Sequence, residues 1–79
     1  MPIRATDRTI RIGEGLARRL RLTREKAGLG QDDLAQRAGC TRAQIWNLES
    51  GKGGGARLDT IESVAEALGV SAGWLAFGG

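Results

Sequence analysis

Apolar residues recur at helical spacing in five separate stretches of this chain. The first stretch runs from about Glu14 to Lys26, and arginines occupy much of its polar surface. One of its faces carries four residues at steps of four, three and four: Leu16, Leu20, Thr23 and Ala27. Such spacing is typical of an amphipathic helix. Gly28 follows as a stop, and Leu22 lies off the apolar face.

A second, shorter helix is predicted from about Gln31 to Ala38. Its inner stripe consists of Leu34, Ala35 and Ala38. Asp32 and Asp33 lie in its first turn, where negative charge favours the positive end of the helix dipole. Gly39 ends this helix, because glycine accepts the left-handed backbone that a tight turn needs.

A third helix is predicted to begin after Thr41. Thr41 and Gln44, three residues apart, form the signature of a capping box. Ile45 and Leu48 are its predicted inward residues, and Gly51 ends it. The glycine-rich segment GKGGGAR that follows is predicted to be a flexible loop.

Two further helices complete the pattern. The fourth runs from about Leu58 or Asp59 to Leu68, with apolar residues at steps of three, three, one and three. Ser71 caps a short fifth helix that extends through about Phe77. Since no run with a period of two competes, the predicted fold class is all-α, a compact domain of five helices.

The first twelve residues differ from the rest of the chain. They contain one proline, no helical period and four charged side chains: Arg4, Asp7, Arg8 and Arg11. We interpret residues 1–12 as a flexible basic arm and residues 13–79 as the folded domain. The alternation in TIRI, residues 9–12, is compatible with a short strand, which is the weaker interpretation.

The charge of the chain is polarised along its length. The total is 12 Lys+Arg against 9 Asp+Glu, a formal charge of +3, in 79 residues that suffice for a single core. Residues 1–26 carry eight basic and three acidic side chains, whereas residues 58–79 carry three acidic side chains and no basic one. Basic segments would face a polyanion and the acidic end would turn away from it.

The residue types argue against several classes of protein. There is no histidine and a single cysteine, Cys40, so the chain has neither an internal disulfide nor a Cys/His metal cluster. We predict no catalytic site, no metal and no cofactor. No apolar run is long enough to span a membrane, and the N-terminus lacks the apolar core of a signal peptide. A reduced, cytoplasmic chain without membrane contact fits best.

The second and third helices together satisfy the requirements of a helix-turn-helix. Two helices that cross steeply through a short turn need a small residue at their contact, which Ala35 supplies, and a permissive turn residue, which Gly39 supplies. Once Ile45 and Leu48 point inward, the remaining positions of the third helix project outward. They are Arg42, Ala43, Trp46, Asn47 and Ser50.

These positions carry a resemblance to a known family. The pattern Gln31-x-x-Leu34-Ala35-x-x-Ala38-Gly39-x-Thr41-x-x-x-Ile45-x-x-Leu48-Glu49-x-Gly51-Lys52 resembles the helix-turn-helix of the phage repressor and Cro family, often called XRE-like. The likeness continues through Leu58-x-x-Ile61-x-x-Val64-Ala65-x-Ala67-Leu68-Gly69-Val70-Ser71-x-x-Trp74-Leu75 and covers residues from about 13 to 78. It implies a lambda-repressor-like fold that binds double-stranded DNA.

The resemblance and the chemistry of the side chains together give the residues that are expected to meet DNA. The expected base contacts are Thr41, Arg42, Ala43, Trp46 and Asn47. The expected phosphate contacts are Gln31, Arg37, Lys52, Gly53 and Arg57. An arginine can contact guanine O6 and N7 together, and an asparagine can pair with adenine. Ala43 offers only a methyl group where family members often carry a long polar side chain. Trp46 either contacts DNA or covers the edge of the core.

Three further expectations concern structure and assembly. The family implies an internal ion pair between Arg24 and Glu49. One or two of three apolar residues near the C-terminus are expected to form a homodimer contact, because so small a domain can hardly bury them all: Trp74, Leu75 and Phe77. Cys40, in the turn, is expected to be a small filler and not a redox switch.

Two functions from different classes remain open. The first is a sequence-specific transcriptional regulator, a repressor, that binds an operator as a homodimer and places its third helix in the major groove. The alternative is an antitoxin-type protein-interaction module, which neutralises a protein partner and binds DNA for autoregulation.

Overall fold

A computed structural model describes residues 9–11, 13–51 and 55–78. Its helices are α1 (Glu14–Lys26), α2 (Gln31–Ala38), α3 (Arg42–Ser50), α4 (Leu58–Leu68) and α5 (Ala72–Phe77). Two three-residue strands, β1 (Thr9–Arg11) and β2 (Gly55–Arg57), complete the described part. The predicted all-helical, five-helix domain is confirmed. None of the helices in the described ranges is long and apolar enough to cross a lipid bilayer.

The two strands correct the sequence prediction, which expected a flexible arm where β1 lies and a loop where β2 lies. β1 and β2 are antiparallel, with Thr9 opposite Arg57, Ile10 opposite Ala56 and Arg11 opposite Gly55. The prediction that no strand competes was therefore wrong for residues 9–11, and the weaker interpretation of TIRI is the observed one there. The predicted loop GKGGGAR likewise ends in a strand. The rest of the predicted arm, residues 1–8 and 12, lies outside the described residues.

The helix starts follow the chemistry of their first residues. Thr41 and Gln44 form the predicted capping box, since the Gln44 amide donates to Thr41 Oγ1 at 3.1 Å and the Thr41 amide donates to Gln44 Oε1 at 2.9 Å. Ser71 Oγ accepts from the Trp74 amide at 2.9 Å at the start of α5. At α2, the Asp33 carboxylate reaches back to the Gly30 amide at 2.9 Å.

The core lies where the five helices meet. α1 packs against α3 and α5, α2 packs against α3 and α4, and α4 packs against α5. The side chains that are almost completely buried are Leu20, Leu34, Ile45, Ile61, Val64 and Leu75. Of the predicted face of α1, Leu16 and Leu20 are buried, whereas Ala27 is exposed because the helix already ends there. Ala17, which the periodicity did not mark, is also buried.

Candidate nucleic-acid interface

α2 and α3 form the predicted helix-turn-helix. Gly39 adopts a left-handed backbone with φ 70°, and the Cys40 amide then donates to the Ala35 carbonyl at 2.9 Å. This pattern caps the end of α2 and reverses the chain within one short turn. Ile45 and Leu48 are 0 and 3 % exposed, so both anchor α3 to the core as predicted. These two buried side chains therefore fix the orientation of α3 relative to the rest of the domain.

The opposite side of α3 is open to solvent. All five predicted base-contact residues are exposed: Thr41, Arg42, Ala43, Trp46 and Asn47. The Trp46 side chain retains 54 % of its surface, which favours a surface role over a cover for the core. The Thr41 hydroxyl already accepts the capping hydrogen bond, so its oxygen is partly engaged within the helix cap. The structure thus brings these residues together on one outward face.

Arg42 has a partner that the sequence analysis missed. Its Nε lies 3.6 Å from Oδ1 of Asp32, in the first turn of α2, and both side chains are largely exposed. The two residues are ten positions apart and sit on different helices. The only sequence signal was an acidic residue at the start of one helix and a basic residue at the start of the next, because the turn brings these two starts together.

The expected ion pair between Arg24 and Glu49 is present and largely shielded from solvent. Arg24 Nε and Nη2 donate to the two carboxylate oxygens of Glu49 at 2.6 and 2.9 Å. The two side chains are only 12 and 5 % exposed. The hydrogen bond to Glu49 raises the pKa of Arg24, against the opposing effect of burial. Arg24 Nη1 also donates to the Leu29 carbonyl at 2.8 Å, so one guanidinium joins α1, the segment before α2, and α3.

Gln31 extends this pair to α2. Its Nε2 donates to Glu49 Oε1 at 3.3 Å, a contact that the sequence analysis did not foresee. Gln31 is the first residue of α2, at the helix end whose leading N–H groups have no partner within the helix. The Gln31 side-chain amide is therefore turned towards Glu49, and an anion at this helix end would be met chiefly by backbone N–H groups.

The other expected phosphate contacts are dispersed. Arg37 is exposed in the last turn of α2. Arg57 is exposed just before α4 and is paired with Asp59 through two contacts of 3.1 and 3.2 Å, which raise the pKa of Arg57. A phosphate would compete with Asp59 for this guanidinium. Lys52 and Gly53 lie outside the described residues.

The structure separates the three residues of the expected dimer contact into one buried and two exposed. Leu75 is 1 % exposed because it packs into the core, so it is not available to a second chain. Trp74 and Phe77 are 38 and 70 % exposed, and they are three residues apart on α5, which makes them neighbours on its surface. Leu22 of α1, 49 % exposed, lines a shallow cavity of about 590 Å³ together with Trp74. We call Leu22, Trp74 and Phe77 the α1–α5 apolar face.

Arg19 holds this face together. Its Nε and Nη2 donate to the carbonyl oxygens of Leu75 and Ala76 at 3.0 Å each. Carbonyls at the end of a helix have no partner within it, and a cation is favoured there by the helix dipole. Arg19 therefore fixes the last turn of α5 on α1. This arginine, which periodicity placed on a solvated face, is a structural link.

Cys40 is half-buried in the turn between α2 and α3. Burial raises the pKa of its thiol, since the thiolate loses hydration. A raised pKa opposes thiolate formation, which is the opposite of what a reactive cysteine needs. The arrangement agrees with the expected filler role.

Comparison with known proteins finds a matching protein family and several solved structures with a similar fold. Residues 15–76 match the family described as "Helix-turn-helix domain". A hypothetical transcription factor from Neisseria is 33% identical, with 84% of this chain and 75% of that chain covered and a TM-score of 0.75. The restriction-modification controller protein C.AhdI from Aeromonas hydrophila is 31% identical, with 78% of this chain and 92% of that chain covered and a TM-score of 0.72.

A third structure is more distant in sequence. SinR, a master regulator for biofilm formation solved in complex with DNA, is 23% identical, with 76% of this chain and 95% of that chain covered and a TM-score of 0.71. At this identity the likeness concerns the fold. The match nevertheless covers nearly the whole of that solved chain.

Proposed function

Because the chain belongs to the helix-turn-helix domain family of DNA-binding transcription regulators, we propose that it is a sequence-specific repressor that places α3 in the major groove of double-stranded DNA. The family consists of transcription factors and not of enzymes. The observation that carries the proposal is the division of α3 into a buried side and an exposed side. Ile45 and Leu48 anchor the helix, and the exposed residues project from its other face.

The exposed face of α3 has the chemistry that base recognition needs. Arg42 can donate two hydrogen bonds to guanine O6 and N7, and Asn47 can pair with the major-groove edge of adenine. Ala43 presents a methyl group, which suits contact with a thymine methyl. Thr41 and Trp46 flank this set, and the Trp46 ring supplies apolar area for a thymine methyl or a sugar. The major groove admits an α-helix, so all five residues can act from one element.

The proposed phosphate contacts position the protein without selecting sequence. They are Gln31, Arg37, Lys52, Gly53 and Arg57. Support comes from the charge distribution, since residues 58–79 carry no basic side chain whereas residues 1–26 carry eight. The acidic C-terminal part then lies away from the polyanion. The DNA complex of SinR gives a precedent for DNA binding by this fold.

We propose that the chain acts as a homodimer through the α1–α5 apolar face. A second copy would cover Leu22, Trp74 and Phe77, which are otherwise exposed to water. A twofold dimer presents two copies of α3 to two half-sites about one helical turn, roughly 34 Å, apart. Binding of a different protein to the same face, as an antitoxin would require, is the competing outcome.

Selection of bound sites from a random double-stranded DNA pool tests the proposal. We expect a palindromic consensus with at least one guanine and one adenine in each half-site. In Arg42→Ala, the preference for that guanine should fall by about 1–3 kcal/mol, because a bidentate contact is lost. Absence of any enriched sequence with the wild-type protein would contradict the proposal.

Two further variants separate base contacts from phosphate contacts. Arg37→Ala should weaken binding to the selected site and to a scrambled duplex by the same factor, since phosphate contacts carry no sequence information. Lys52→Ala should reduce the slope of log K against log salt concentration by about one unit. A loss of sequence preference in either variant would move that residue to the base-contact set.

Repression has its own measurement. The selected site can be placed over a promoter in a transcription assay with purified polymerase. Occupancy should lower the amount of transcript in proportion to site binding. An increase in transcript would show an activator with the same DNA-binding surface.

A further inference from the structure

The pairing of Asp32 with Arg42 joins the starts of the two helices of the helix-turn-helix. Asp32 Oδ1 lies 3.6 Å from Arg42 Nε, and the two side chains are 76 and 68 % exposed. Asp32 is the second residue of α2 and Arg42 is the first residue of α3. Neither side chain is buried, and the contact places the Asp32 carboxylate beside the Arg42 guanidinium.

The charges suit their helix ends unequally. A carboxylate in the first turn of α2 is favoured by the helix dipole, whereas a cation at the first position of α3 is disfavoured. Asp32 offsets this cost because it supplies a negative charge beside Arg42. The pair therefore allows an arginine at the helix end that enters the groove, where most helices would carry an acidic or neutral residue.

The atoms used in the contact matter more than its strength. Asp32 comes nearest to Arg42 at Nε, at a distance beyond that of a hydrogen bond, so the N–H groups of the guanidinium stay available as donors. Guanine presents two acceptors, O6 and N7, in the major groove. A guanidinium with the Asp32 carboxylate on its Nε side can thus meet guanine end-on with both terminal nitrogens. The planar group has fewer orientations to lose when it binds.

We propose that Asp32 is a positioning residue that sets the preference of Arg42 for guanine; this inference rests on the proposed function. Asp32 acts in two ways. It orients the guanidinium through Nε, and its charge disfavours phosphate oxygens near Arg42, so that Arg42 contacts a base and not the backbone. Removal of Asp32 leaves Arg42 free to bind phosphate, which raises affinity for any DNA and lowers discrimination.

Asp33 provides a matched control. It is the neighbouring acidic residue in the same first turn, and its role is to accept a hydrogen bond from the Gly30 amide at 2.9 Å. Asp33→Asn removes the same charge as Asp32→Asn and keeps a carbonyl oxygen for the Gly30 amide. The two variants therefore differ in whether the lost charge faces Arg42.

The experiment uses the full chain with a random double-stranded DNA pool, followed by competition between the selected duplex and a duplex with the guanine replaced. Asp32→Ala and Asp32→Asn should each lower the guanine preference at least about threefold, as expected for residues in direct contact. Both should also bind a scrambled duplex more tightly. Asp33→Asn should bind the scrambled duplex more tightly while it keeps the guanine preference of the wild type.

A double-mutant cycle assigns the effect to Arg42. In an Arg42→Ala background, Asp32→Ala should leave the remaining guanine preference unchanged. The inference is overturned if Asp32→Asn and Asp33→Asn change the guanine preference equally, or if Asp32→Ala acts as strongly without Arg42. Circular dichroism checks that each variant is folded, which is expected because both side chains are exposed.

Failure of the proposed function gives a different result. If the wild-type protein enriches no sequence, sequence-specific recognition itself is absent. If the wild type enriches a guanine that depends on Arg42 but not on Asp32, the function stands and the positioning role is wrong.

Discussion

The ion pairs within the described residues differ in how much water reaches them. Arg24 and Glu49 are 12 and 5 % exposed, whereas the partners in the Asp32–Arg42 and Arg57–Asp59 pairs are all more than half exposed. Exposed pairs contribute little to stability because water and salt screen them. Arg24–Glu49 is therefore the pair that matters for the fold, and the other two contribute little to stability.

Loss of one member of the buried pair should be costly. Glu49→Gln leaves the Arg24 guanidinium partly buried without a counter-charge, and we expect the free energy of unfolding to fall by about 3–5 kcal/mol. That is a large share of the stability of a small domain. Urea denaturation followed by circular dichroism measures the change.

Two controls accompany this prediction. Arg57→Ala, which removes an exposed pair, should leave the urea midpoint unchanged. The double variant Arg24→Met with Glu49→Met should recover most of the loss, since an apolar pair of similar size can replace a buried ion pair. An unchanged midpoint in Glu49→Gln would mean that the pair contributes nothing to the fold.

The Cys40 thiol should react slowly in the folded protein. Because burial raises its pKa, less thiolate is present at neutral pH than for a free cysteine. Iodoacetamide should modify the protein faster in urea than in buffer, as followed by mass spectrometry. By the same shift, the free energy of unfolding should decline as the pH rises past the ordinary thiol pKa, because the unfolded chain then releases the proton first. Equal rates of iodoacetamide modification in urea and in buffer would contradict the burial of the Cys40 thiol.

Contacts between individual side chains were predictable from the sequence only where both residues belong to the shared family pattern. The Arg24–Glu49 pair followed from the family resemblance, because both positions belong to a shared arrangement. The contacts of Gln31 with Glu49 and of Asp32 with Arg42 did not, since each joins two helices whose relative placement the sequence leaves open. Which of Trp74, Leu75 and Phe77 is buried did not follow from the sequence, because a period on a six-residue helix does not tell its buried side from its exposed side.

Among the elements, the helices were predictable because their ends carry explicit local chemistry. Thr41 and Ser71 cap the starts of α3 and α5, and a glycine follows the end of α2. The strands were not predictable in the same way. β2 has only three residues, Gly-Ala-Arg, too few to show a period in the sequence, and its pairing with β1 joins positions 44 to 48 residues apart. Such a contact depends on the packed domain and not on local propensity.

The turn between α2 and α3 should be sensitive to a single methyl group. Gly39→Ala places a Cβ on a residue with φ 70°, a conformation that costs L-residues roughly 1–2 kcal/mol. No heavy atom lies within 4 Å of the added Cβ, so the cost arises from the backbone alone. Thermal unfolding should show a lower midpoint.

The same substitution elsewhere should have the opposite sign. Gly73 lies inside α5 without a positive φ, and an added Cβ would meet only Ser71 Oγ at 3.8 Å. Gly73→Ala should raise the free energy of unfolding by up to about 1 kcal/mol, through helix propensity. If both alanine variants shift in the same direction, the backbone explanation for Gly39 fails.

At the scale of the whole molecule, two exposed tryptophans separate the two proposed surfaces. Trp74 belongs to the α1–α5 apolar face and Trp46 to the outward side of α3. Trp74→Ala should shift the sedimenting species from twice the chain mass of 8.4 kDa towards the monomer. It should also weaken binding to a two-half-site operator, because the linkage between half-sites is lost.

Trp46→Ala is the matched control for assembly. It should keep the dimer and weaken binding to each half-site. A wild-type protein that sediments as a monomer at micromolar concentration would contradict the homodimer. Co-purification of a stoichiometric second protein that Trp74→Ala abolishes would instead assign the face to a different partner.

The pairing of β1 with β2 bears on how the protein can be produced and immobilised. β1 pairs with β2, which ends at Arg57, so an affinity tag fused directly ahead of Thr9 would enter the domain beside the proposed phosphate contact Arg57. A polyhistidine tag there adds cationic groups to the DNA surface at mildly acidic pH. A tag fused shortly after Phe77, the last residue of α5, would crowd the α1–α5 apolar face. Affinity and assembly are therefore best measured after proteolytic removal of the tag, and surface capture is best directed to exposed positions of α4 such as Glu62 or Glu66.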